Sequence, residues 1–156
     1  MPLTLDDRGL LPPGVHEASL KEIDRLFARF QRSDRRLKLF AKLKEYVNAV
    51  KKAKCGIAII VNGSFVMGCI DEPSDIDLIL VLPPGWDLAE DLKPYQYNVV
   101  SRKRVRAEYK FDVYPVLPGS AREHGWTAYF TGVNLKWCRK FGWPKESTKG
   151  IVRVTL

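Results

Sequence analysis

Ile57-Ala58-Ile59-Ile60-Val61-Asn62-Gly63-Ser64 and Asp75-Ile76-Asp77-Leu78-Ile79-Leu80-Val81-Leu82 decide how this chain is read. Each carries an apolar, β-branched run of strand length. Turn residues bound both, Asn62-Gly63-Ser64 after the first and Pro83-Pro84-Gly85 after the second. The aspartates break an otherwise apolar pattern. Side chains alternate along a strand, so Asp75 and Asp77 share a face while Ile76 turns to the core. Lys110-Phe111-Asp112-Val113-Tyr114-Pro115-Val116 repeats the arrangement as a third strand, with Asp112 between two apolar residues.

Carboxylates placed this way are costly. Two residues of rise put Asp75 and Asp77 about 6.6 Å apart along the chain, and their carboxylates can converge further. Like charges about 4 Å apart cost about 4 kcal/mol at a typical effective dielectric. Nothing in local folding offsets that, whereas a divalent cation does, and oxygen ligands on rigid strands suit magnesium. The bland alternative is that Asp75 caps a turn and Asp77 sits on a wet sheet face. Gly63-Ser64 shifts the weighing, because it ends an apolar strand 12 residues before Asp75. A glycine there lets backbone N–H groups and a hydroxyl approach phosphate oxygens closely. Phosphate cradle and metal carboxylates are the two halves of a nucleotide–metal site.

Outward from this core, Ser19-Leu20-Lys21-Glu22 reads as a capping box, followed by Leu20, Ile23, Phe27 and Phe30 on one helical face. Ser33 or Asp34 caps a second helix that carries Leu37, Phe40, Leu43, Val47 and Val50. Arg25, Arg29, Arg32, Arg35, Arg36, Lys38, Lys42 and Lys44 give both helices basic outer faces, read as solvated. A helix is predicted over about 94–109, with a basic cluster of Arg102, Lys103, Arg104 and Arg106. Another is predicted from Glu123 to about Arg139. Its Trp126, Tyr129, Phe130 and Trp137 read as core, with base stacking the minority reading. Ile151-Val152-Arg153-Val154 is a short last strand. The order predicts an α+β fold, in which a small mixed sheet is flanked by helices. It is read as a single domain over 1–156: an extended lead-in (1–18), basic helices (19–54), a catalytic core (57–116) and a C-terminal helix and strand (121–156).

Composition narrows the function classes. With 156 residues the chain suits one domain, large enough to bury roughly 70% of its unfolded surface. No apolar run approaches the ~20 residues of a membrane span. The opening Met1-Pro2-Leu3-Thr4-Leu5-Asp6-Asp7-Arg8 lacks an apolar h-region, so no signal peptide is expected. Cys55, Cys69 and Cys138 form no CxxC pair, which disfavours a disulfide framework and predicts a cytoplasmic protein. His16 and His124 have no ligand-like spacing. A net charge of +8 points to polyanionic partners such as nucleic acid or nucleotides.

Asn62-Gly63-Ser64, Gly68 and Ser74-Asp75-Ile76-Asp77-Leu78 together resemble the signature of the DNA polymerase beta-type nucleotidyltransferase superfamily. The spacing resembles especially the minimal nucleotidyltransferases of prokaryotic toxin–antitoxin modules. The opening over 11–17 and Lys149-Gly150-Ile151-Val152 resemble a small, uncharacterised bacterial family within that superfamily. The resemblance implies a nucleotidyltransferase fold. It also implies transfer of a nucleoside monophosphate from a nucleoside triphosphate such as ATP to a hydroxyl, in a toxin–antitoxin or phage-defence setting. The acceptor would be an RNA, tRNA included, or a partner protein, and no membrane is involved. Asp75, Asp77 and Asp112 would hold two magnesium ions as catalytic and metal residues, with Gly63 and Ser64 on the outgoing phosphates. Arg102, Lys103 and Arg104 would contact phosphate or acceptor. Minimal members usually carry an arginine just before the glycine matching Gly68, where this chain has Met67; the basic helix before Asp112 could supply the triphosphate contact instead. The alternative is a non-catalytic member that binds a partner or a nucleotide.

Overall fold

The computed structural model describes residues 3–29, 33–74 and 76–156. The two apolar runs become neighbouring strands. Three more complete one mixed sheet, in the order β1-β5-β2-β3-β4. The strands are β1 (Gly14–Glu17), β2 (Ala58–Asn62), β3 (Asp77–Val81), β4 (Asp112–Val116) and β5 (Gly150–Thr155). β1 runs parallel to β5 and β3 parallel to β4, while β2 is antiparallel to both of its neighbours. Around the sheet lie α1 (Leu20–Phe27), α2 (Arg35–Ala53), α3 (Pro94–Val100), α4 (Arg102–Tyr109), α5 (Ala121–Thr131) and α6 (Leu135–Phe141). The architecture is therefore α+β, a mixed sheet with helices around it. No helix among the described residues is long and apolar enough to cross a membrane.

The sheet's two faces differ. On one, Leu80 and Val50 of α2 are close enough that a Cβ added at Gly56 would touch both. Tyr46 of α2 is fully buried there, edge-on to Phe111, with its hydroxyl donating to the Val99 carbonyl at 2.7 Å. The other face, of the same parity as Asp77, is covered by α5, whose Trp126 and Phe130 pack on Tyr114 of β4.

Several expectations are corrected. Residues 1–18 are not merely a lead-in, for Gly14–Glu17 is an edge strand and Leu10 and Leu11 are fully buried. Leu11-Pro12-Pro13-Gly14 reads as part of an extended lead-in, and only β5, far away in sequence, makes the following residues a strand. β5 itself is longer than expected and lies between β1 and β2. The helix over 94–109 is two helices. Ser101 adopts extended backbone, and its hydroxyl accepts from the Arg104 N–H to start α4. The last helix is likewise split, because Gly132 leaves helical backbone and the Asn134 side chain caps α6. In α2, Leu37 is exposed and Leu39 buried.

Arg36 is the largest departure from the basic-face reading, being fully buried. Its guanidinium donates to the carbonyls of Phe27, Phe65, Met67 and Ile70 at 2.6–2.9 Å. Burial pushes its pKa down to about 10, which keeps it charged at neutral pH. One side chain thus fixes the end of α1 and the segment after β2. Neighbouring Arg35 donates to the carbonyls of Pro73 and Ser74, holding the chain that leads into Asp75. Phe30 and Arg32 lie outside the described residues.

Candidate functional site at the start of β3

Strand register assembles the site. Asp77 opens β3 and Asp112 opens β4, and the two are register partners. Parallel neighbours lie about 4.8 Å apart, so both carboxylates leave the same sheet face. On the other side Asn62, the last residue of β2, is opposite Asp77. Its amide donates to the carbonyls of Ile60 and Asp77, and its Oδ1 is buried without a hydrogen-bond partner. Ile76 is fully buried, as alternation requires.

The chain then turns against Asp77. Gly63 has φ +87°, and a Cβ there would stand 2.9 Å from Asp77 Oδ2 and 3.2 Å from its backbone nitrogen. Only glycine lets the turn lie this close to the carboxylate. Ser64 opens a short 3-10 turn, Ser64–Val66. Gly68 has a packing reason of its own. Its N–H donates to the Gly9 carbonyl at 2.7 Å, and a Cβ would meet Leu5 at 2.9 Å.

A cavity of about 470 Å³ opens over this turn. Gly63, Ser64, Met67 and Asp77 line one side. The α5–α6 junction lines the other, with Tyr129 and Trp137. Tyr129 is 67% exposed, which corrects its placement in the core, and Trp137 is half-buried. Trp126 and Phe130 do pack with Tyr114, in keeping with a core role. The junction is held by hydrogen bonds from Val133 N–H to the Ser147 carbonyl and from Lys149 N–H to the Thr131 carbonyl.

Sequence reasoning missed two residues here. Lys149 lines the same cavity and is 4% exposed, with its ammonium donating to the Gly132 carbonyl at 3.2 Å. Burial pushes its pKa down to about 8, against the pull of the Asp77 charge. Tyr114, two residues beyond Asp112, is held between Trp126 and the Arg102 guanidinium, which lies 4.6 Å from its ring centroid. Burial, then the charges of Asp77 and Asp112, push its phenol above the ordinary value. An alternation count that included Tyr114 was the available signal. Lys149, one residue before a strand, belongs to the Lys149-Gly150-Ile151-Val152 stretch that carries part of the resemblance, but nothing in that stretch signals its burial.

The basic cluster divides. Arg102 joins the carboxylate face through Tyr114, and Arg106 lies 3.8 Å from Asp112. Lys103 is exposed on α4. Arg104 does not join the site: it bonds to Asn98 and lines a separate cavity between α2, α3 and α4. Asp75 lies outside the described residues. Among the described residues no group of three or more His, Cys, Asp or Glu could hold a metal ion. What they do bring together is the pair Asp77 and Asp112, with the unpartnered Asn62 oxygen beside it. These are all oxygen donors, and that chemistry fits a hard cation.

No curated protein and no solved structure matches the chain. A family model does match it over residues 3–155. By that match, the chain belongs to DUF6932, a family of unknown function.

Proposed function

We propose that this chain is a metal-dependent nucleotidyltransferase, moving a nucleoside monophosphate from a nucleoside triphosphate to a hydroxyl of an RNA or a partner protein. The observation that carries the reading is the register of Asp77 with Asp112 beside the Gly63-Ser64 turn. Asp77 and Asp112, joined by Asp75 on the sequence argument, are the residues that would hold magnesium. When bound, magnesium would neutralise charge on the transferring phosphoryl group. Ser64 and the backbone after Gly63 bind phosphate oxygens by donating hydrogen bonds. Asp112 orients the attacking hydroxyl and accepts its proton. Tyr129 and Trp137 wall the cavity, and the exposed Tyr129 ring offers an apolar surface to a base. The net charge of +8 favours an RNA acceptor over a protein.

The test follows α-phosphate label from each triphosphate into total RNA and into protein, with and without magnesium. Transfer that survives Asp77→Asn together with Asp112→Asn would overturn the assignment. A specific observation also favours the non-catalytic alternative. Arg106 lies 3.8 Å from Asp112 and offers one of the two carboxylates a cation in place of a metal. On that reading the same cavity binds a nucleotide without turning it over, and label never leaves the triphosphate.

A further inference from the structure

The cavity over Asp77 contains a cation that the proposed chemistry has not yet used. Among the described residues, three charged side chains line it: Asp77, Lys136 and Lys149. Lys136 is exposed and lies over the Trp137 ring, 4.7 Å from its centroid, at the rim. Lys149 is different, because only 4% of it reaches solvent. Burying an ammonium is costly, and side chains of this kind are buried when something pairs with them. The Gly132 carbonyl accepts from one of its three N–H donors. A single carbonyl is a poor match for a full charge.

Topology explains where the ammonium is delivered. β5 is antiparallel to β2, with Val61 opposite Val152. The residues just before β5 therefore come beside the turn just after β2. That turn is Gly63-Ser64, with its hydroxyl and backbone N–H groups. The backbone of Lys149 is fixed from the other side through Thr131, and its ammonium through Gly132. Hydroxyl, turn N–H groups and a buried ammonium on one cavity wall form a donor set for an anion with several oxygens. Asp77 stands beside that turn on the same side of the cavity, so the ammonium also offsets the repulsion between its carboxylate and the anion.

We propose that Lys149 is the polyphosphate contact of this cavity, its ammonium donating to the oxygens of a triphosphate that Ser64 holds from the same wall. The proposal rests on the reading of the cavity as a nucleoside triphosphate site. A competing role is that Lys149 only balances the charge of Asp77, and the two roles separate by measurement.

The probe is inorganic tripolyphosphate, titrated calorimetrically with metal chelated, into the full chain and into Lys149→Met, Lys149→Gln and Lys149→Arg. Thermal unfolding of each variant checks that it is folded, and glutamine, able to keep a bond to Gly132, covers the case in which methionine is not. Losing one charge-assisted contact weakens binding by about 10- to 100-fold. That loss is expected in the neutral variants, with Lys149→Arg close to the wild type. Magnesium binding is read separately. Neutral variants that bind tripolyphosphate as the wild type does overturn the proposal. So does tighter magnesium binding with no loss of tripolyphosphate, which is the mark of a mere counter-ion. A wild type that does not bind tripolyphosphate overturns it as well. The transferase reading fails differently. Tripolyphosphate bound through Lys149 with no label transferred keeps the contact and removes the enzyme, whereas label transfer undiminished in Lys149→Met keeps the enzyme and removes the contact.

Discussion

Gly63→Ala tests whether the turn after β2 is built around the Asp77 carboxylate. Gly63 has φ +87° and ψ −168°, a region essentially reserved for glycine, where a side chain costs about 1–3 kcal/mol. The added Cβ would also stand 2.9 Å from Asp77 Oδ2 and 3.2 Å from the Asp77 nitrogen. The first neighbour can move only by re-aiming the carboxylate. The second is backbone in a strand paired on both sides. Gly85 supplies the control, with φ +78° and nothing within 4 Å of an added Cβ. Gly85→Ala should therefore show backbone cost alone, roughly 1 kcal/mol. Gly63→Ala should lose about 3 kcal/mol. For a domain of this size each kcal/mol lowers Tm by about 2–4 °C. The expected fall is about 6–12 °C for Gly63→Ala against about 2–4 °C for Gly85→Ala, read by thermal unfolding without metal. Adding magnesium should then raise the Tm of Gly85→Ala and leave Gly63→Ala unmoved. Equal Tm values in the two variants, with the magnesium shift retained in both, would refute the reasoning.

Four further outcomes are expected. Magnesium at a hundredfold excess over its dissociation constant should stabilise the wild type by about 2.7 kcal/mol, and Asp77→Asn should abolish that shift in a thermal scan. Arg36→Met removes the donor shared by the Phe27, Phe65, Met67 and Ile70 carbonyls, with Met67 keeping its bond from the Ile70 N–H, so a denaturant titration should show a loss of about 3–5 kcal/mol. Lys149 binds its proton more weakly folded, at about 8, than unfolded, near 10.5. Between those values the unfolded chain holds more protons, so stability of the wild type relative to Lys149→Met should rise with pH from about 8 to 10.5, by at most about 3 kcal/mol. Arg102→Ala should weaken label transfer, while Arg104→Ala, which alters the cavity between α2, α3 and α4, should leave it near the wild-type rate.

Local signals in the sequence mapped well onto local structure. The capping box at Ser19 is present with both of its hydrogen bonds. The runs over 57–61 and 76–82 are β2 and β3 to within a residue or so, because apolar strands of that length leave few other solutions. What failed was whatever depends on distant partners. β1 is a strand only because β5 lies beside it. The two helix breaks had readable signals in retrospect, a serine at 101 and a Gly-x-Asn at 132–134. Both are cap residues set inside stretches whose composition otherwise suits a helix, and caps inform only when something interrupts the periodicity. Arg36 defeated pattern reading altogether. It sits beside Arg35 in a basic run, yet one donates to loop carbonyls at the surface and the other to four carbonyls in the core.

The site divides along the same line. Asp77 and Asp112 stood out because a carboxylate in an apolar strand is locally unfavourable, and the compensation must lie elsewhere. Gly63 and Ser64, ordinary turn residues by themselves, stood out through their spacing to Asp75. Lys149 breaks no local rule, since a lysine just before a strand is ordinary. Its oddity is burial, which exists only once β5 has been laid against β2 and the α5–α6 junction folded over both. Tyr114 is similar, an unremarkable strand aromatic until register places it beside two carboxylates and under Arg102. The residues that would hold a metal are thus visible as violations in one dimension. Those that would tune charge around it become visible only in three, and in this chain both come from segments that sequence order keeps far from Gly63.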